Sequence, residues 1–146
     1  MSSENVAAAQ RIYEKWHRFV HERDVDGLMT LYTDDAILES TAIVVLEHND
    51  AGVLQGKTAL RAHFASFFAM LPPVPPHEWY RPGPAFIDED VLLWEYPSKG
   101  PNGDQFDVVE SMTLRGGLVA THRVYWGWRS SLALWNKLNE RIGNEN

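Results

Sequence analysis

Two ionisable residues, Glu110 and His122, occupy positions that should form the buried face of the segment from Phe106 to Trp128. The segment alternates like the two strands of a β-hairpin around Gly116-Gly117, and pairing of the strands brings the carboxyl group and the imidazole close together. A buried glutamate tends to hold its proton, whereas a neighbouring imidazolium favours the ionised carboxylate. Such coupled groups can move protons near neutral pH, so this pattern predicts an acid–base pair acting on a small molecule.

Less specialised interpretations of the same residues remain open. Glu110 and His122 could form a structural ion pair, or Glu110 could face solvent if the strands pair differently. Two registers are compatible with the sequence. A two-residue turn pairs Ser111 with His122, whereas a three-residue loop ending at Gly117 pairs Glu110 with His122 and Phe106 with Trp126.

The three-residue loop is preferred because it separates apolar from polar residues more completely. It gives an inner face made of Phe106, Val108, Glu110, Met112, Ala120, His122, Val124 and Trp126. The outer face then carries Asp107, Ser111, Thr113, Thr121, Arg123 and Tyr125.

Other residues suit the wall of a pocket, since binding sites favour aromatic side chains with a few polar groups. Trp16, Tyr32 and Trp126 could orient a ligand through their N–H and O–H groups, or simply fill the core. Trp79 and Trp94 are further candidates for this wall, but the sequence does not decide which face of its strand each one occupies. His63 could add a second imidazole or lie on a helix surface. His17 and His21 have a metal-ligand spacing, but no third ligand is evident and they are expected on the polar side of their helix, so no metal site is predicted.

Composition limits the classes of function. A chain of 146 residues suits one domain, taken as residues 1–146. The net charge of −7, without a basic cluster, argues against binding to nucleic acid or an anionic membrane. The chain has no cysteine, no signal-peptide pattern in residues 1–10 and no apolar run of membrane-spanning length. We therefore expect a cytoplasmic protein.

Hydrophobic periodicity predicts the elements that must position these residues. Helices are expected at 3–23, from about residue 24 to Asp34-Asp35, at 57–71 and at 130–142. Strands are expected at 36–47, 77–81, 85–87, 91–96, 105–115 and 118–128. The role of the apolar run Ile43-Leu46 is open: it could cap a pocket or form a partner surface. Helices followed by antiparallel strands indicate an α+β fold with helices on one face of a curved sheet.

Three segments resemble the NTF2-like superfamily, which includes ketosteroid isomerases and SnoaL-type polyketide cyclases. They are Asp24–Ala36 with its Tyr32-Thr33-Asp34-Asp35-Ala36 motif, Gly56–Phe64, and the hairpin ending at Tyr125-Trp126. The resemblance implies a cystatin-like cone: three N-terminal helices, a curved antiparallel sheet and a C-terminal helix around a pocket. It also implies a homodimer, for which the polar-aromatic face Thr121, Arg123 and Tyr125 could serve as the interface.

The same resemblance assigns roles residue by residue. Ser40 occupies the position of the catalytic base of ketosteroid isomerases, Trp16 that of the oxyanion tyrosine, and Glu110 that of the oxyanion aspartate. Only Glu110 keeps its chemistry, so steroid isomerisation by that mechanism is not expected. His122 follows the SnoaL-like pattern instead, and the resemblance also points His63 inward.

The resemblance therefore implies a SnoaL-like isomerase, cyclase or dehydratase without a cofactor, acting on an apolar ketone-like or polycyclic molecule. The catalytic pair is Glu110 and His122. The substrate-binding residues are Trp16, Tyr32, Ser40, His63, Phe106, Met112, Val124 and Trp126. The alternative is a non-catalytic module for ligand binding or dimerisation.

Overall fold

The computed structural model describes residues 3–70, 83–99 and 105–145. Its helices are α1 (Ser3–Glu22), α2 (Val25–Met29), α3 (Thr41–Leu46), α4 (Lys57–Met70) and α5 (Trp128–Glu145). Its strands are β1 (Tyr32–Ser40), β2 (Val53–Gln55), β3 (Ala85–Asp88), β4 (Val91–Lys99), β5 (Gln105–Arg115) and β6 (Leu118–Trp126). The predicted strand at 77–81, with Trp79, lies outside the described residues.

The six strands form one sheet in the order β2-β1-β6-β5-β4-β3. Neighbouring strands are antiparallel except β1 and β6, which run parallel. Parallel neighbours need a long connection between them, and here the whole chain from α3 to β5 makes it. The predicted α+β fold is confirmed, whereas the parallel pair, the short strand β2 and the short helix α3 were not predicted. Among the described residues, no helix is long and apolar enough to cross a membrane.

Two long helices pack against the inner face of the sheet. Helix α1 directs Ile12, Trp16 and Phe19 into the core, and helix α4 directs Leu60, Phe64 and Phe68 there. Each set recurs every three or four residues, so a single stripe of each helix is buried. Between them, Asp24 caps α2 by accepting a 2.8 Å hydrogen bond from Gly27 N.

The segment after β1 differs from the prediction. Asp34 and Asp35 lie within β1 instead of ending a helix, and the predicted strand at 36–47 stops at Ser40. There the Ser40 hydroxyl accepts a hydrogen bond from Ala42 N and begins α3, which includes Ile43-Leu46. The β-branched residues favoured a strand, but a serine cap and burial of Ile43 and Val45 stabilise a helical turn instead.

The hairpin between β5 and β6 combines a two-residue turn with a β-bulge. Gly116 and Gly117 both have positive φ, as a type I′ turn requires, and Arg115 pairs with Leu118. The register then shifts by one residue at Ala120, so that Thr113 pairs with Thr121. The predicted three-residue loop is therefore wrong.

The bulge decides which residues face each other. His122 pairs with Met112, Glu110 with Val124, and Val108 with Trp126, so the expected pairs of Glu110 with His122 and Phe106 with Trp126 are wrong. The register differs from the expected one by two positions, and side chains alternate with a period of two. Each side chain therefore stays on its expected face, except that Val119 takes the inner position expected for Ala120.

Candidate functional site

The side chains of Glu110 and His122 meet on the inner face of the sheet. Glu110 Oε2 and His122 Nε2 are 2.5 Å apart, although the two residues are diagonal neighbours across β5 and β6. Only 4% of Glu110 and 1% of His122 are exposed. A charge buried this deeply is costly unless hydrogen bonds compensate for the lost water, and the surrounding residues supply them.

Tyr32 extends the network on the far side of the imidazole. Its Oη lies 2.9 Å from His122 Nδ1 and accepts a 3.2 Å hydrogen bond from Trp16 Nε1. Burial raises the pKa of Tyr32 well above its ordinary value, so the phenol keeps its hydrogen. The hydroxyl bonds to His122 Nδ1 on one side of the imidazole, and the other ring nitrogen, Nε2, faces Glu110.

Tyr96 completes the network from the neighbouring strand β4. Its hydroxyl donates a 2.7 Å hydrogen bond to Glu110 Oε1, while Oε2 accepts from His122. Each carboxylate oxygen thus has a donor, which is the arrangement that stabilises an ionised carboxylate in a buried place. A continuous chain of hydrogen bonds thus links Trp16, Tyr32, His122 and Glu110.

A second histidine–glutamate pair lies where α4 meets the end of α3. His63 Nδ1 is 3.0 Å from Glu47 Oε1, and His63 is buried while Glu47 reaches solvent. Burial lowers the pKa of His63, Glu47 opposes that shift, and the nearby His122 adds to it. A neutral His63 that donates from Nδ1 to Glu47 keeps Nε2 as an acceptor. The Phe64 ring stacks on His122 and also contacts His63, so it lies against both imidazoles.

The accessible end of the site lies near Trp126. Trp126 Nε1 donates a 3.1 Å hydrogen bond to Ser40 Oγ, the same oxygen that caps α3. Phe106 packs edge-on against the Trp126 ring, with 6.3 Å between centroids. Phe106, Val124 and Trp126 are partly exposed, whereas Met112 is fully buried. Exposure therefore increases from the closed interior around His122 towards Val124 and Trp126.

The ten predicted site residues thus all lie on the inner side of the sheet, but their hydrogen-bond partners differ. Trp16 and Tyr32 contact the histidine and form part of its support. Ser40 and Trp126 bind each other. His63 points inward, as the resemblance implied, but its partner is Glu47, which the strand prediction for 36–47 concealed.

Sequence reasoning missed Tyr96, and it considered Trp94 and His17 without assigning them to the site. The alternation of Leu92, Trp94 and Tyr96 against the polar Glu95 contains the signal, because it assigns the first three to one face. His17 was expected on the polar side of α1, but its ring lies 5.3 Å from that of Trp94, and burial lowers its pKa. Trp94 is fully buried, and its Nε1 has no hydrogen-bond partner among the described residues.

Neither a metal site nor a site for an anionic ligand gains support from the described part of the chain. It contains no group of three or more His, Cys, Asp or Glu residues that could hold a metal ion. An open hollow of about 520 Å³ lies at the start of α4 and is lined by Asp34, Gln55, Gly56, Lys57, Thr58 and Arg61. Its two cations already form ion pairs, Lys57 with Asp34 and Arg61 with Asp26.

Comparison with known proteins identifies relatives of this fold. The sequence profile of the SnoaL-like domain matches residues 13–122. A SnoaL-like protein of unknown function from Burkholderia thailandensis is 20% identical, with a TM-score of 0.70 over 84% of this chain and 96% of that one. An NTF2-like protein of unknown function from Mesorhizobium loti is 14% identical, also with a TM-score of 0.70, over 88% of this chain and 98% of that one.

A structure described as a steroid delta-isomerase from Pseudomonas aeruginosa is also similar. It is 16% identical, with a TM-score of 0.67 over 95% of this chain and 94% of that one. Identities this low establish a common fold and leave the activity of this chain to its own residues. No curated protein matches the sequence.

Proposed function

Because the chain belongs to the SnoaL-like domain family, we propose that it is an enzyme without a cofactor that isomerises, cyclises or dehydrates an apolar ketone-like or polycyclic molecule. The observation that supports this most is the buried network converging on Glu110, with a hydrogen-bond donor on each carboxylate oxygen. A carboxylate held by two donors among apolar side chains suits proton transfer at a carbon next to a carbonyl group.

In this proposal Glu110 takes the proton from the substrate and later returns it. His122 donates a hydrogen bond from Nε2 to one carboxylate oxygen. Tyr32 bonds to the other ring nitrogen and so fixes the orientation of the imidazole. Trp16 and Tyr32 act as positioning residues, because their polar atoms bind within the network. Glu110 Oε2 and His122 Nε2 are 2.5 Å apart, so a change in charge at the carboxylate alters the strength of the hydrogen bond from the imidazole.

The substrate would lie towards Val124, Trp126 and Phe106, where the inner face is partly exposed. Their apolar surfaces suit a flat or polycyclic molecule. The Ser40 oxygen accepts two hydrogen bonds, and its own hydrogen can be donated to a substrate carbonyl. His63 Nε2 can accept a hydrogen bond from a substrate hydroxyl group.

A non-catalytic ligand-binding module is the second candidate, and one observation favours it. Ser40 stands where the resemblance to ketosteroid isomerases implies a carboxylate base, and its oxygen is engaged with Ala42 and Trp126. In that case the network around Glu110 would serve to hold the pocket in shape.

Exchange of carbon-bound hydrogen separates the two candidates. The purified protein is incubated in heavy water with a panel of apolar cyclic and polycyclic ketones, and loss of the α-proton signals is followed by NMR. The enzyme proposal expects exchange above the buffer rate, and Glu110→Gln to lower it by roughly a hundredfold or more.

Glu39→Gln is the matched control, since Glu39 lies on the outer side of β1 and pairs with Arg123. It is expected to keep the full rate. Exchange at the buffer rate with every ketone that binds, or equal rates for the parent and Glu110→Gln, would favour the binding module.

A further inference from the structure

Helix α5 carries an exposed apolar stripe. Trp128 is 77% exposed and Trp135 is 59% exposed, and Leu132 and Ile142 are each more than 40% exposed. Together with Asn139 they occur at spacings of four, three, four and three residues. That is the spacing of successive core positions in a coiled coil, so the five residues share one side of the helix.

A different stripe of α5 attaches the helix to the rest of the protein. Ser130 is buried, Leu134 and Leu138 are half-buried, and Arg141 Nη1 donates a 3.0 Å hydrogen bond to Val44 O in α3. The attached stripe precedes the exposed one by about one residue, which is about 100° around a helix. The exposed tryptophans are therefore additional to the contacts that hold α5 in place.

The position of Asn139 indicates a helical partner of the same kind. In the heptad pattern Leu132 and Asn139 take the first core position, and Trp128, Trp135 and Ile142 take the other. A single asparagine at the first core position is the feature that sets the register of parallel helix pairs, because two such side chains can bond to each other.

The geometry and size of the stripe also fit a second copy. A two-fold axis parallel to α5 would place the two protein bodies on opposite sides of the helix pair, because each body lies to one side of its own stripe. A fully buried tryptophan covers on the order of 200 Å², so the two tryptophans of each chain alone remove several hundred Å² in the pair. With Leu132 and Ile142 the interface approaches the roughly 1,000 Å² expected of a specific complex.

We propose that this protein forms a two-fold dimer through α5, with the Trp128, Leu132, Trp135, Asn139 and Ile142 stripes of two chains packed in parallel and in register. This surface is distinct from the outer sheet face at Thr121, Arg123 and Tyr125 that the family resemblance implied. The net charge of −7 argues against an anionic membrane as the occupant of the stripe.

The oligomeric state of two surface variants tests the proposal. Trp135→Glu places a charge in the middle of the stripe, and Tyr125→Glu places one on the outer sheet face, where Tyr125 is 55% exposed. Sedimentation velocity is expected to give a dimer for the parent and for Tyr125→Glu, and a monomer for Trp135→Glu with an unchanged circular dichroism spectrum. A monomeric parent, or a dimer that only Tyr125→Glu separates, overturns it.

Cross-linking gives a second test that does not remove a tryptophan. The chain has no cysteine, so a single introduced thiol reports its own position. Asn139→Cys is expected to form a disulfide-linked dimer on mild oxidation, because the two residues face each other in the pair. Lys137→Cys, on an exposed face away from the stripe, is the control and is expected to stay monomeric on a denaturing gel. Equal cross-linking of both variants, or of neither, contradicts the parallel pairing.

Discussion

His122 Nε2 lies 2.5 Å from Glu110 Oε2, although neither residue faces the other across the hairpin. Each is paired with an apolar residue, Met112 or Val124, and the contact is diagonal. This contact uses one ring nitrogen of His122 and one oxygen of Glu110, so the other nitrogen and the other oxygen can bind further partners. Tyr32 reaches the far nitrogen of His122 from β1, and Tyr96 reaches the second oxygen of Glu110 from β4, so four strands share one network.

The loss of stability on replacing Glu110 is expected to depend strongly on whether the new side chain keeps a hydrogen-bond acceptor. Glu110→Gln retains an oxygen for the His122 N–H and should lower the free energy of unfolding by about 1 kcal/mol or less. Glu110→Ala removes the acceptor of both His122 and Tyr96 and leaves a cavity, so the loss should be about 2–4 kcal/mol. Urea unfolding measures both values, and equal losses would contradict the hydrogen bonds described.

Tyr32→Phe is expected to destabilise the protein although it removes one oxygen atom. The change takes away the hydrogen-bond partner of His122 Nδ1 and the acceptor of the Trp16 N–H in a fully buried place. The expected cost is about 1–3 kcal/mol. Tyr125→Phe is the matched control, because the ring of Tyr125 is exposed, and its unfolding free energy should stay within about 0.5 kcal/mol of the parent.

Ser40→Asp is expected to raise α-proton exchange, because it places a carboxylate at the position that the resemblance assigns to a base. Aspartate also caps helices well, so α3 should be retained. We expect the exchange rate to rise by roughly tenfold or more over the parent. Ser40→Asn has the same shape and capping ability without the charge, and a rate increase in that variant would refute a base role at this position.

Stability is expected to fall as the pH drops below the ordinary pKa of histidine. Burial lowers the pKa of His63 and of His17, so the unfolded chain binds protons at about pH 6.5 that the native protein does not bind. The free energy of unfolding should therefore decrease between about pH 7 and about pH 5, with Glu47 partly offsetting the effect at His63. His63→Gln should reduce this slope in urea titrations, and an unchanged slope would show that His63 is not the cause.

The fold followed from local features of the sequence. Buried stripes at helical spacing predicted α1 and α4, and alternation predicted β5 and the face of each of its side chains. The inward position of Glu110 and His122 was predictable because side chains alternate along a strand whichever register holds. The helical fate of Ile43-Leu46 was not predictable, because its residues favour a strand and tertiary burial decided the outcome.

What the sequence determined by itself is therefore most of the inward residues of the two long helices and the hairpin, and what only the tertiary structure decided is which of them bind each other. The bulge at Ala120 moves the register by one residue, and no feature of the sequence at Ala120 marks it as the bulge position. The partners Tyr32, Tyr96 and Glu47 come from β1, β4 and the end of α3, far from the residues they contact. Such contacts depend on how distant elements pack together, which no local pattern encodes.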